Sequence, residues 1–213
     1  MKYPCILFDL DGTLTDSGEG IINCAVLALE HFSLPVPDRA AMRVFVGPPL
    51  RDTFIRFGVP EDRVEEAITV YRSRYTTVGK FENFPYPGIP EMLEALHKAG
   101  HRLFIATSKP EHMAVEIAEK FGIAKYFEAI CGATLDGSRD AKEKVIEYLL
   151  TRCGVEGAIM VGDTHFDVTG AKFHGIDAIG VSWGYGEVCQ MEQAGAIAIA
   201  HTAEELQTML TAP

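Results

Sequence analysis

Basic residues are scarce in this chain: 19 lysines and arginines face 30 aspartates and glutamates, for a formal net charge of −11. A surface that grips nucleic acid or an anionic membrane needs a basic face, so neither partner is expected. Cys5, Cys24, Cys131, Cys153 and Cys189 are odd in number, scattered and without Cys-x-x-Cys spacing. That pattern argues against a disulfide framework or a thiolate metal site, and no histidine-bearing motif accompanies any of them to make a catalytic thiol. No stretch is long and apolar enough to span a bilayer, and Met1-Lys2-Tyr3-Pro4 leads into an apolar run without the pattern of a signal peptide. A cytoplasmic protein is the expectation. Internal repeats and low-complexity segments are lacking as well.

What is present is a globular composition, 47% hydrophobic over 213 residues, enough for one domain or for a core with a small insert. The informative stretch comes early. The apolar run Cys5-Ile6-Leu7-Phe8 is followed by Asp9-Leu10-Asp11-Gly12-Thr13-Leu14-Thr15. A short apolar run closed by a turn signal reads as a strand buried on both faces, as in a parallel sheet covered by helices. Ligands of open α/β sheets bind beyond the carboxyl ends of the strands, and Asp9 and Asp11 fall there. Gly12 allows a sharp turn that brings backbone N–H groups toward whatever the carboxylates hold. Two carboxylates so close repel unless a hard cation such as Mg²⁺ lies between them or one is protonated. One of them could attack an electrophile while the other moves protons. The plain alternative is an Asp-rich turn after a strand.

The chain then turns helical. Glu19 to Phe32, Ala40 to Val46, Leu50 to Phe57 and Arg63 to Val78 carry helical spacing, broken apart by Pro35, Pro37, Pro48, Pro49 and Gly58-Val59-Pro60. Phe84-Pro85-Tyr86-Pro87-Gly88 reads as a return linker. Beyond it helices and strands alternate: helices at 89–99, 111–121, 141–153, 167–173 and 203–210, and strands at 102–106, 126–131, 158–161, 177–181 and 196–200. The expected fold is a doubly wound, Rossmann-like parallel α/β sheet, residues 1–15 and 84–213, interrupted by an inserted helical unit at 16–83.

Asp-Leu-Asp-Gly-Thr-Leu-Thr after an opening strand resembles the nucleophile motif of the haloacid dehalogenase-like hydrolase superfamily, within it the phosphoglycolate phosphatase and 5′-nucleotidase group. The resemblance extends over nearly the whole chain, with the further motifs in order. It implies that the helical insert is a cap, and that Asp9 is phosphorylated by its substrate while Asp11 protonates the leaving alcohol and later activates water. It also implies that Thr107, in Phe-Ile-Ala-Thr-Ser-Lys-Pro, hydrogen-bonds the transferring phosphoryl group. Gly12, Thr13 and Ser108 are candidates for binding that group, and Lys109 for adding positive charge at the site mouth, unless it is ordinary surface. A site lysine should lie in Arg139-Asp140-Ala141-Lys142-Glu143-Lys144. The buried stripe Val145, Ile146, Leu149 and Leu150 favours Lys142, and Lys144 is the alternative.

Gly162-Asp163-Thr164-His165-Phe166-Asp167 follows another apolar strand and places two more carboxylates at the same edge. Asp163 would bind Mg²⁺ with the Asp9 carboxylate and the Asp11 carbonyl, and Asp167 would act through water or as an anchor. A simple helix cap at Asp163 or Thr164 is the plain alternative. Trp183 and Tyr185 read as loop residues lining the site, although burial alone would explain them.

The expected activity is hydrolysis of a small phosphorylated metabolite by a monomer or homodimer. A phosphomutase of the β-phosphoglucomutase type would share every core residue. A receiver-like phospho-acceptor module carries its acceptor on a later strand and has no cap, and a dehalogenase lacks the second aspartate. Arg51, in Val46-Gly47-Pro48-Pro49-Leu50-Arg51, is a candidate for reading a second anionic group of the substrate, or is an exposed helix-start arginine.

Overall fold

The computed structural model describes residues 2–212. Its backbone divides into two compact units, residues 1–15 with 85–213 and residues 16–84.

The larger unit opens with β1 (Cys5–Phe8), all four residues buried. Two short strands, β2 (Thr15–Asp16) and β3 (Phe84–Pro85), pair with each other where the chain leaves and re-enters this unit. Between them run α1 (Gly18–His31), α2 (Arg39–Met42), a 3₁₀ turn at Arg43–Phe45, α3 (Leu50–Arg56) and α4 (Val64–Tyr75). The remainder alternates: α5 (Ile89–Lys98), β4 (Arg102–Pro110), α6 (Glu111–Lys120), β5 (Phe127–Ala133), α7 (Lys142–Cys153), β6 (Ala158–Gly162), α8 (His165–Phe173), β7 (Asp177–Val181), α9 (Val188–Ala194), β8 (Ala198–Ala200) and α10 (Ala203–Thr211).

The main sheet has the order β5-β4-β1-β6-β7-β8 and every pairing is parallel. The chain builds outward from β1 in one direction through β4 and β5, then in the other through β6, β7 and β8. The switch point therefore lies at β1, where a doubly wound sheet opens a crevice beyond its carboxyl edge. The period of two along each strand sorts side chains to opposite faces. Ile6, Phe8, Leu103, Ile105, Ile159 and Val161 join the cluster under α5, α6 and α10, while Cys5, Leu7, Phe104, Ala106 and Met160 join the one under α7, α8 and α9.

The helical unit has its own core. Met42, Phe45, Phe54, Tyr71 and Tyr75 are buried, with the Phe45 and Phe54 ring centroids 5.1 Å apart and those of Tyr71 and Tyr75 5.2 Å apart. Arg74 on α4 grips Glu82 with both arms of its guanidinium at 2.6 and 2.7 Å, which holds the Glu82 carboxyl below its ordinary value. At the crossing of α1 with the turn at Gly79–Phe81, a Cβ on Gly20 would lie 1.9 Å from the Gly79 carbonyl oxygen, so only glycine fits.

Several elements differ from the sequence expectation. The segment 40–46 splits into one α turn and one 3₁₀ turn, and the expected helix at 63–78 spans only Val64–Tyr75. Strand β4 continues past Ala106 to Pro110, because Pro110 still pairs with Ala133 of β5 beyond a register irregularity. Helix α8 begins at His165, two residues before Asp167, and α9 has no clear apolar period to announce it. All five cysteines are free thiols. Among the described residues no helix is long and apolar enough to cross a membrane.

Candidate active site

The site is built at the carboxyl ends of β1, β4 and β6. β1 delivers Asp9, whose N–H continues the ladder by donating to the Val161 carbonyl at 2.9 Å. The chain then folds back tightly: the N–H groups of Leu14 and Thr15 both donate to the Leu10 carbonyl, and Gly12 takes φ 86°. A Cβ on Gly12 would lie 2.2 Å from Asp163 Oδ2, so its absence lets this turn close on the β6 edge. Thr13, fully buried, donates from its hydroxyl to Asp163 Oδ1 at 3.2 Å.

Asp163 and Asp167 come from the other side of the switch point. Asp163 also accepts the N–H of Tyr185 at 2.8 Å. Asp167 closes a capping box at the start of α8, its Oδ2 accepting the N–H of Thr164 at 3.0 Å and the Thr164 hydroxyl at 2.8 Å. Between Asp9 and Asp167 lies Lys142, at the first turn of α7. Its Nζ is 2.8 Å from Asp9 Oδ1 and 2.7 Å from Asp167 Oδ1, and it donates to the Ala106 carbonyl at 3.0 Å. A Cβ on Gly170 would meet the Lys142 side chain at 2.8 Å, so the small residue on α8 makes room for it. Lys144, by contrast, is exposed and 3.8 Å from Asp140, away from the carboxylates.

The electrostatics follow from burial. Asp9, Asp163 and Asp167 each offer a carboxylate oxygen, all within 4.8 Å of one another. Burial, together with the neighbouring Asp167 and Asp9 charges, pushes the Asp163 carboxyl up to about 8, and burial also raises Asp167 despite Lys142. Burial pulls the Lys142 ammonium down, but the Asp167 and Asp9 carboxylates outweigh it and hold the ammonium up. With all three ionised, three carboxylates against one ammonium leave an excess of negative charge, and the donors are all oxygen. A hard divalent cation such as Mg²⁺ fits that set. Asp9 and Asp163 have the carboxylates to hold it. Asp167 already has both oxygens engaged by Thr164 and Lys142, which suits an anchor rather than a ligand.

A prediction follows for Asp163→Asn. Above about pH 8, where the Asp163 carboxyl is ionised, removing its charge should leave the metal-free protein at least as resistant to heat as the parent, since a buried carboxylate repelled by its neighbours opposes folding. The variant should also lose the upward shift in melting temperature that Mg²⁺ gives the parent. A metal-free melting point well below that of the parent, or an undiminished Mg²⁺ shift, would count against the assignment.

The other expected residues are distributed as follows. Thr107 lies on β4, buried, and its hydroxyl accepts the Lys109 N–H at 3.3 Å; Ser108 is exposed. Lys109 is not the exposed lysine that one reading of the sequence allows: it is buried, with Nζ 2.5 Å from Asp11 Oδ2. Arg51 belongs to the helical unit, where its side chain is about half exposed and its Nη1 donates to Glu65 at 2.9 Å. The loop after β7 carries Trp183 and Tyr185, which the sequence offers as residues lining the site. There the Trp183 indole N–H donates to the Thr13 carbonyl at 3.0 Å, and a Cβ on Gly184 would lie 2.4 Å from Asp163. Gly184 is a glycine because the backbone here comes too close to Asp163 for any side chain.

A parallel sheet with paired aspartates at its switch point, a buried lysine bridging two carboxylates and an inserted helical unit defines a hydrolase of the haloacid dehalogenase type. Residues 6–181 match the sequence profile of the family described as haloacid dehalogenase-like hydrolase. The chain belongs to that family. It is 46% identical over 189 residues to a 5′-nucleotidase of Pseudomonas aeruginosa, covering 87% of this chain and 86% of that one. It is 42% identical over 209 residues to the tyrosine-protein kinase PtkA of Mycobacterium tuberculosis, covering 96% of this chain and 72% of that one. Among solved structures, a predicted phosphatase from Clostridium acetobutylicum superposes with a TM-score of 0.93 at 39% identity, covering 99% of each chain.

Proposed function

We propose that the protein is a Mg²⁺-dependent phosphomonoester phosphatase for small phosphorylated metabolites, working through a phosphorylated Asp9. The observation that carries this reading is the juxtaposition of a buried carboxylate, Asp9, with Lys142 at 2.8 Å and two further carboxylates at the sheet edge. Asp9 attacks phosphorus and forms an acyl phosphate while the ester oxygen leaves with a proton from Asp11. Asp11 then takes a proton from water as that water attacks the aspartyl-phosphate, and inorganic phosphate departs. Lys142 offsets the charge of Asp9, and Thr107 on β4 donates to a phosphoryl oxygen. Mg²⁺ held by Asp9, Asp163 and the Asp11 carbonyl would supply further positive charge at the transferring group. The test is release of phosphate from nucleoside 5′-monophosphates, phosphoglycolate, sugar phosphates and p-nitrophenyl phosphate, with Mg²⁺ and with EDTA. No release from any of them, or release unaffected by EDTA, would sink the reading.

A second reading is transfer of the phosphoryl group to an acceptor hydroxyl instead of water, favoured by the 42% identity to a protein named as a tyrosine kinase. Radiolabel from the phosphoenzyme would then appear on an added hydroxyl acceptor rather than as free phosphate.

The helical unit is proposed as the cap that reads the substrate. Arg51 has a partner there, Glu65, which a substrate carboxylate would have to displace. Exposed ion pairs of this kind are worth about 0–1 kcal/mol. Glu65 would therefore yield Arg51 to a substrate carboxylate at little cost, and Arg51→Ala should lose kcat/KM on phosphoglycolate selectively while p-nitrophenyl phosphate is spared. Equal loss on both substrates, or none on either, would remove Arg51 from substrate recognition.

A further inference from the structure

We propose that Lys109 is the positioning residue for Asp11: by holding Asp11 Oδ2 it presents Oδ1 as the oxygen that exchanges protons with the leaving alcohol and the attacking water. This rests on the phosphatase reading above. Lys109 Nζ lies 2.5 Å from Asp11 Oδ2, with the two side chains 4% and 15% exposed. Asp11 Oδ1 is itself buried and has no hydrogen-bond partner. A carboxylate free to turn would present either oxygen in many directions, and a buried charge-assisted pair on one oxygen removes that freedom.

The backbone around Lys109 is pinned in a way that a lysine lending diffuse charge would not need. β4 is carried past its regular end to Pro110, with a register irregularity between Ala106 and Pro110. Here β5 comes so close that a Cβ on Gly132 would lie 2.5 Å from the Lys109 carbonyl oxygen and 2.7 Å from Glu111 Cα. Gly132 donates its N–H to Glu111 Oε2 at 3.2 Å. Arg139 ties both ends of this contact, donating to the Gly132 carbonyl at 2.8 Å and to Glu111 Oε2 at 2.9 Å, while its guanidinium lies 3.7 Å from the centroid of the Tyr148 ring. The segment that bears Lys109 is thus fixed from beneath by residues that take no part in the chemistry.

In the first half-reaction Oδ1 gives its proton to the ester oxygen as the P–O bond to the alcohol breaks and the bond from Asp9 to phosphorus forms. In the second, Oδ1 recovers a proton from the water whose oxygen bonds phosphorus, and the bond to Asp9 breaks. The proton lent is the proton regained. An oxygen aimed wrongly should hurt most where the leaving group most needs that proton.

The experiment compares kcat/KM for p-nitrophenyl phosphate, a good leaving group, with that for a simple alkyl phosphate, in the parent, Lys109→Met, Asp11→Asn and the double variant. Lys109→Met should lose at least about tenfold more on the alkyl ester than on the aryl ester, as Asp11→Asn should. The double variant should be no worse than Asp11→Asn alone within about threefold, because the two residues act as one unit. Inhibition by inorganic phosphate should hold in Lys109→Met. Gly132→Ala, which shifts the backbone of Lys109 while keeping its side chain, should reproduce the leaving-group signature, and it carries the test if Lys109→Met fails to fold. Equal losses on both esters with weakened phosphate inhibition would mean that Lys109 grips the phosphoryl group instead, and additive losses in the double variant would equally overturn the proposal. A parent that turns over neither ester would overturn the phosphatase reading, and this assignment with it.

Discussion

Asparagine in place of Asp9 should abolish turnover while leaving the fold standing. The amide keeps the shape of the carboxylate but is a poor nucleophile at phosphorus, so kcat on p-nitrophenyl phosphate should fall by roughly 10⁴-fold or more. The fold should survive because the substitution removes one negative charge from a cluster of three carboxylates and one ammonium. Lys142 keeps its 2.7 Å contact with Asp167 and its hydrogen bond to the Ala106 carbonyl. The N–H of Asp9, which joins β1 to Val161, belongs to the backbone and is untouched. Any loss of stability to urea should therefore stay well short of the roughly 3–5 kcal/mol that an uncompensated buried charge would bring. The acid-quenched Asp9→Asn enzyme should carry no acyl phosphate. Turnover within about a hundredfold of the parent, in protein shown by mass to be free of deamidation, would remove Asp9 as the nucleophile.

The sheet was legible because parallel strands buried on both faces are written as continuous apolar runs, and the runs at β1, β6 and β7 stop at glycine, aspartate or serine. The aspartates at the ends of β1 and β6 could be placed on one edge because a doubly wound sheet aligns its carboxyl ends there. Helical phase distinguished Lys142 from Lys144, since only a residue leading into the stripe of Val145, Ile146 and Leu149 can turn inward. Other features were not legible, and each depends on a partner distant in sequence. Ser108-Lys109-Pro110 lies beyond the strand expected at 102–106, yet β5 draws it into the sheet as far as Pro110, and that extension buries Lys109 against Asp11. The Trp183 indole finds the Thr13 carbonyl 170 residues away, a contact with no local signature. The pairing of Arg51 with Glu65 has no sequence signal either, because the partner lies on the next helix. Short elements were lost for a different reason: the seven residues of α9 hold too few apolar positions to define a period.

Replacing Lys142 with methionine should injure both the fold and the chemistry. The side chain is buried between Asp9 and Asp167, and its ammonium is the positive charge placed directly against those carboxylates. Methionine has similar length and fills the space left beside Gly170, so packing should be largely retained. What is lost is charge compensation, and removing one partner from a buried ionic cluster costs about 3–5 kcal/mol. The sign of the pH dependence follows. Burial and repulsion already push the Asp163 carboxyl up to about 8, so the native state binds more protons than the unfolded chain between about pH 4 and that value. Stability of the metal-free protein should then fall as pH rises through that window, and more steeply in Lys142→Met, where no ammonium restrains the carboxyls. The deficit of the variant relative to the parent should accordingly be larger at about pH 8 than at about pH 5. Saturating Mg²⁺ should recover part of it by restoring positive charge, whereas turnover should stay at least about 10³-fold down, because an aspartate without its lysine partner meets the phosphate dianion unshielded. Urea denaturation at the two pH values, with and without Mg²⁺, measures each of these. A deficit that is the same at both and indifferent to the metal would mean that Lys142 contributes through packing alone, and that the carboxylates are balanced by some other charge.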